Sequence, residues 1–227
     1  MRQSTVSILC AAAAIAAGPG FAAPPDKKIT WNVGGGADFP LSDAGNKLNT
    51  GGNFGLGITY NITDFLGIQF EPMYNYMSAK DNAITNVTGL GANLQVWQFD
   101  FNLVLRTKPH KKVGAYIIFG GGFYKVKGEI TAATLTGGTV CDPYWGICYP
   151  VAVPVEQVLG SRSATKGGLD VGGGITIRVG EHSRFYIETV YQYVRFGSLG
   201  ASATPYTSSS ATSVNLQYLP LTFGFRF

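Results

Sequence analysis

Charge, histidine and long apolar runs are all scarce in this sequence, and each shortage excludes a class of function. Only 13% of its 227 residues are charged, 17 basic against 13 acidic. That mild excess, scattered along the chain, forms no basic patch, so no nucleic acid partner is expected. The two histidines and three cysteines form no cluster with metal-ligand spacing, and neither metal nor cofactor is expected. No stretch supplies the roughly 20 consecutive apolar residues of a membrane helix. Disorder is also excluded, because 45% of the chain is hydrophobic. The 31 glycines keep no collagen period.

The first 22 residues read as a signal peptide. Arg2 gives a positive start, Ile8 to Ala17 a short apolar run, and Gly20-Phe21-Ala22 small residues at a cleavage site. Cys10 follows Leu9, a poor match for a lipoprotein site. Removal of the leader, with its single basic residue, leaves 16 basic against 13 acidic groups, or about +3. Cys141 and Cys148, within CDPYWGIC, are then the remaining cysteines. An oxidising compartment favours a local disulfide between them, worth on the order of 2–3 kcal/mol in the chain-entropy model.

From Ile29 the hydrophobic pattern has period two. In Gln95 to Arg106, Trp97, Phe99, Phe101, Leu103 and Leu105 alternate with Gln98, Asp100, Asn102 and Arg106. In Gly168 to Val179, Leu169, Val171, Ile175, Ile177 and Val179 oppose Asp170, Thr176 and Arg178. The last segment sets Leu219, Leu221, Phe223, Phe225 and Phe227 against Tyr218, Thr222, Gly224 and Arg226. Strands keep such sets on separate faces and helices do not. The pattern predicts eight strands, at about 29–39, 53–61, 65–77, 95–106, 113–127, 167–179, 184–196 and 213–227. The fifth is apolar on both faces, which leaves its facing open. Pro72 and Pro220 each remove a ladder donor, so a bulge or local gap is expected at both.

Short predicted turns (62–64, 107–112, 180–183) alternate with long polar connections (40–52, 78–94, 128–166, 197–212). An outer-membrane barrel places short turns in the periplasm and long loops outside. Both termini then lie in the periplasm, with 23–28 a short periplasmic segment and 29–227 the barrel. The facing follows from composition. The apolar face is rich in aromatics near strand ends (Trp97, Phe185, Tyr191, Tyr193), as an interfacial girdle requires. The polar face carries glycine, amide and mixed charge rather than the lysines of a solvated surface.

The ending YLPLTFGFRF resembles the assembly signal of outer-membrane barrels, through Tyr218, Phe223, Phe225 and Phe227. With the leader and the eight-strand layout, the mature chain resembles the small barrel family that includes the OmpA transmembrane domain, OmpX and Opa. The resemblance implies an all-β fold, an eight-stranded antiparallel up-and-down transmembrane β-barrel in the outer membrane of a Gram-negative bacterium. It further implies contact with outer-membrane lipid and lipopolysaccharide, and with the barrel assembly machinery during insertion. The length leaves no room for a periplasmic peptidoglycan-binding domain, so an anchoring role is not expected.

Glu71, Asp100, Asp170 and Glu188, with Arg106, Arg178 and Arg226, are the inward candidates. An eight-stranded barrel is just wide enough for side chains to fill it, and an unpaired buried ion costs several kcal/mol. Near-balanced signs therefore imply a salt-bridged plug. The GGG runs at 34–36, 120–122 and 172–174 lack GxGxxG and lead into no helical pattern. They are read as inner-face glycines that make room for arginine and tyrosine. The basic turn 107–112 (TKPHKK) is read either as a contact for anionic headgroups or as a solvated turn.

The expected function is a structural or surface-interaction role without catalysis. The alternative is a porin-like narrow channel or transporter for small solutes, and a lipid A-modifying enzyme stands third. Such an enzyme needs a Ser–His–acid set near the outer leaflet, whereas His110 and His182 fall in predicted periplasmic turns. Segment 128–166 is the candidate site for an extracellular partner. Tyr144, Trp145 and Tyr149 there are potential interface anchors.

Overall fold

A computed structural model describes residues 28–80, 90–107, 112–141, 148–180, 183–195 and 215–227. The alternating segments become strands β1 (Ile29–Pro40), β2 (Gly51–Asn61), β3 (Leu66–Ser78), β4 (Leu90–Arg106), β5 (Val113–Cys141), β6 (Cys148–Arg178), β7 (Arg184–Arg195) and β8 (Asn215–Arg226). Each is antiparallel to the next, and β8 pairs back onto β1 from Asn32↔Arg226 to Pro40↔Tyr218. The result is a closed eight-stranded up-and-down barrel with a single short helix, α1 (Ser42–Lys47), between β1 and β2 among the described residues. Closure pairs every strand of the barrel wall on both sides, which is what permits strands to cross a membrane. Among the described residues no helix is long and apolar enough to do so.

The barrel is inside out relative to a water-soluble one. Gln69, Asn75, Gln98 and Gln192 are almost fully buried, while Trp31, Phe54, Phe123 and Leu169 stand outward, each more than half exposed. Outward aromatics group toward both ends. Trp31, Tyr60 and Phe225 lie near the short turns, and Tyr74, Trp97 and Phe123 farther along their strands. The Tyr74 and Trp97 rings are 4.8 Å apart. Phe185 and Phe225 meet at 5.6 Å. β5 resolves in the same way: Tyr116, Ile118, Tyr124 and Val126 point inward, and Ile117, Phe119 and Phe123 outward.

Both prolines produce a gap without a bulge. Between β2 and β3 the pairs run Gly55↔Met73 and then Ile58↔Phe70, skipping Pro72 at unchanged register. Between β7 and β8 they run Thr189↔Leu221 and then Gln192↔Tyr218, skipping Pro220. Each proline keeps its pairing on the other side, with Phe99 and Asp38 respectively.

Segment 128–166 is not a loop. β5 and β6 continue as one hairpin to the pair Cys141↔Cys148, broken only by a register shift at Ile130/Thr131. A backbone ladder needs no side-chain alternation, so a Gly- and Thr-rich stretch extends the strands although its sequence shows no period. The register makes Cys141 and Cys148 direct cross-strand partners.

Candidate functional site

Two features stand out, the barrel interior and the projecting hairpin. The interior has an apolar outer layer and a polar lower one. At the long-connection end, Met77, Val96, Tyr124, Val194 and Tyr218 are fully buried, and Ala44 of α1 packs on them. Below, Val104, Tyr116, Ile118 and Val190 form a second cluster among polar groups.

The structure brings Glu71, Asp100, Asp170, Glu188 and Arg226 together as buried residues of the lumen wall. Strand register aligns them: Glu71 is the partner of Asp100 across β3–β4, and Asp170 of Gln192 across β6–β7. The salt-bridged plug expected from the sequence is not formed through Arg106 or Arg226 among the described residues. Among the described residues no ion pair joins Glu71, Asp100, Asp170 or Glu188 to Arg106 or Arg226. The carboxylates are met by neighbouring neutral groups instead. Asn32 and Gln69 donate to Glu71 at 3.0 and 2.8 Å. Tyr116 donates to Glu188 at 2.7 Å, and Gln98 to Asp100 at 2.9 Å. Gln69 and Gln98 sit two residues from their carboxylates on the same inner face, and Asn32 and Tyr116 reach theirs from other strands. Arg226 places its guanidinium over Tyr116 and Tyr186, 4.9 and 5.4 Å from the ring centroids, a cation–π arrangement.

The charge balance also departs from expectation. Asp38, Glu71, Asp100, Asp170 and Glu188 are buried against one buried arginine, Arg226, among the described residues. Arg106 is half-buried on the inner face, and its Nε and Nη2 make no hydrogen bond within the protein. Arg178 shares the inward parity of Thr176 but lies exposed at the rim, because the strand ends there. It is not part of the lumen.

Sequence reasoning missed Asp38 and the amides around it. Asn53 donates to Asp38 at 2.8 Å, and Thr222 donates to Asn53 at 3.2 Å. Gln98 accepts from Tyr218 at 2.6 Å. Gln98 shares the parity of Asp100, which was the available signal; Asp38 lies beside a glycine run that hides the alternation. Tyr218 is therefore separate from Phe223, Phe225 and Phe227, which face outward while its hydroxyl points into the lumen. Inner-face glycines accommodate the tyrosines: a Cβ on Gly174 would sit 2.6 Å from the Tyr116 hydroxyl, and one on Gly168 2.6 Å from the Tyr124 ring.

Tyr144 and Trp145 lie outside the described residues, as do His110, His182 and the serine run Ser208–Ser210. Tyr149 lies in β6, paired with Val140. Among the described residues no group of three His, Cys, Asp or Glu has the arrangement to hold a metal ion.

A family model of the outer membrane protein beta-barrel domain matches residues 7–227. Neisserial surface protein A is similar at 14% identity and TM-score 0.48, with 88% of this chain and 96% of that chain covered. OprG of Pseudomonas aeruginosa is similar at 12% identity and TM-score 0.45, covering 89% and 98%. Ail, the attachment invasion locus protein of Yersinia pestis, is similar at 14% identity and TM-score 0.43, covering 88% and 100%. No curated protein matches the sequence. The family match spans nearly the whole chain and agrees with a closed barrel whose apolar side faces out, so the chain belongs to the outer membrane protein β-barrel domain family, proteins of the Gram-negative outer membrane.

Proposed function

We propose that this protein is a closed, non-catalytic outer-membrane barrel that presents its β5–β6 hairpin at the cell surface for recognition. The hairpin carries this reading. Its described pairing with β4 ends at Leu90↔Ala132, and beyond that β6 is the one described partner of β5 as far as Cys141. The ribbon therefore reaches about 30 Å past the last β4 contact at the usual rise per residue. On the other side β7 begins pairing only at Gly168, which leaves the β6 edge at 157–167 without a described partner strand. Free edges invite strand addition, and Ile130, Val158 and Leu159 are each about half exposed beside them.

In this reading residues 1–22 direct export, 23–28 stay in the periplasm with both termini, and the hairpin projects outside. A disulfide between Cys141 and Cys148 closes its tip and lowers the entropy lost on binding. Tyr144, Trp145 and Tyr149 supply aromatic anchors. The apolar belt contacts lipid and lipopolysaccharide, and the Phe223, Phe225 and Phe227 face engages the assembly machinery.

Joining Ala132 to Gln157 through an Asn-Gly turn shortens the hairpin at a paired position. The shortened barrel is expected to fold, as read by circular dichroism and melting. Cells carrying equal amounts of it are expected to attach to protein-coated surfaces no better than cells without the protein. Unchanged attachment, or failure of the shortened barrel to assemble, would overturn the recognition role.

The channel reading draws on one observation: two guanidinium nitrogens of Arg106 make no hydrogen bond within the protein. Groups of that kind suit a watered lumen. Against it stands the packed outer layer, and planar-bilayer recordings of the full barrel are expected to show no steady conductance. Large, stable current steps would establish the channel instead.

A further inference from the structure

The long-connection end holds a cavity separate from the polar lumen. α1 is fixed there by Lys80, whose Nζ donates to the Gly45 carbonyl at 2.6 Å, and by Leu41 N–H, which donates to the Gln217 carbonyl at 2.9 Å. The helix covers the mouth without filling it. Between α1 and the inner face of β4, β5 and β6 lies a cavity of about 280 Å³. Ala44, Leu48, Leu94, Val126, Ala164 and Leu216 provide its apolar wall. The charged residues lining it are Lys47 and Arg162 against one acid, Asp43, and all three are exposed.

We propose that this cavity binds the chain of a free medium-chain fatty acid, with the carboxylate held by Lys47 and Arg162. An aliphatic cavity of roughly 150 Å³ already takes benzene, so the volume here is ample for a ligand. At about 30 Å³ per chain carbon, close to the share of one water in the liquid, it accepts about nine carbons. An apolar wall selects an alkyl chain over a sugar or a peptide, and the net positive rim selects an anionic head over a neutral or cationic one. The walls come from several different elements, so the shape is fixed by the barrel and not by one mobile segment.

The test uses the full chain in phosphatidylcholine nanodiscs, with radiolabelled decanoate in equilibrium dialysis and empty discs subtracted. One saturable site per barrel is expected. Affinity across a chain-length series should rise about fourfold per methylene, then level off near nine carbons. Ala164→Phe, or Leu94→Trp should the first variant fail to fold, fills the cavity and is expected to lower affinity more than tenfold. The double variant Lys47→Glu/Arg162→Glu is expected to cost roughly tenfold, and decanol should bind the unaltered barrel correspondingly weakly. Uptake equal to that of empty discs would overturn the proposal. So would affinity that keeps rising past about nine carbons, which marks partition into lipid, or binding indifferent to both filling variants. Binding that appears only after connection 196–214 is shortened would assign the cavity to that connection and overturn it too.

Discussion

Arginine in place of Phe101 is expected to lower the unfolding free energy of the barrel in a bilayer by about 2–4 kcal/mol. Phe101 lies midway between the outward residues Trp97 and Leu105 of β4, and its ring packs 4.9 Å from Phe70. It is 56% exposed, while Asp100 and Asn102 on either side are buried. On a water-soluble protein an exposed position of that kind tolerates a charge within about 0.5 kcal/mol. In hydrocarbon the guanidinium has no water to replace what it loses. Ile130 supplies the control, since it is 49% exposed but lies near the outer end of the β4–β5 pairing, opposite Ala92 and nine residues along β5 from Gly121, the partner of Phe101. Ile130→Arg is expected to stay within about 0.5 kcal/mol. Urea titration of the folded fraction in lipid vesicles measures both. A loss at position 101 no larger than at 130 would mean that the aromatic face does not meet lipid.

Tyr124→Ala is expected to cost about 3–5 kcal/mol and to open the barrel to ions. Tyr124 is fully buried in the outer apolar layer, and its hydroxyl donates to Gln192 Oε1. Its ring occupies the space that Gly168 leaves bare. The ladder holds the strands at fixed spacing, so neighbours cannot collapse into the void as they can in a helical core. Tyr124→Phe keeps the ring and strands the Gln192 amide, with an expected cost of about 1–3 kcal/mol and no current. Melting temperatures and planar-bilayer recordings separate the two effects. A Tyr124→Ala barrel that is destabilised yet silent would move the seal down to the level of Tyr116 and Arg226.

The sequence was most informative where one face is greasy and the other polar. Along Gln95 to Arg106 the alternation located β4, its facing and the buried Asp100 together. Three features escaped it, for different physical reasons. The outer half of the hairpin is held by backbone bonds that any Gly–Thr stretch can make, so its extent left no mark in side-chain pattern. The facing of β5 was hidden because Ile117 and Phe119 meet lipid while Ile118 and Tyr116 fill the interior, two apolar environments indistinguishable by hydropathy. The partners that reach Glu71 and Glu188 from other strands, Asn32 and Tyr116, could not be read at all. Parity identifies which residues point inward, but the choice between an arginine and a neutral amide or phenol depends on the register between strands far apart in the chain.

The bond between the first and last strands also governs how such a chain must form. Asn32 pairs with Arg226, 194 positions later (226 − 32), whereas the other strand pairs join chain neighbours. Adjacent hairpins can zip early, but closure waits for the most distant contact in the molecule, and pairing of that kind is slow. Until it forms, β1 and β8 each present an unpaired edge. Kinetic control therefore falls on one seam, and weakening the β1–β8 pairing should lengthen the lifetime of the open sheet before it alters the finished barrel.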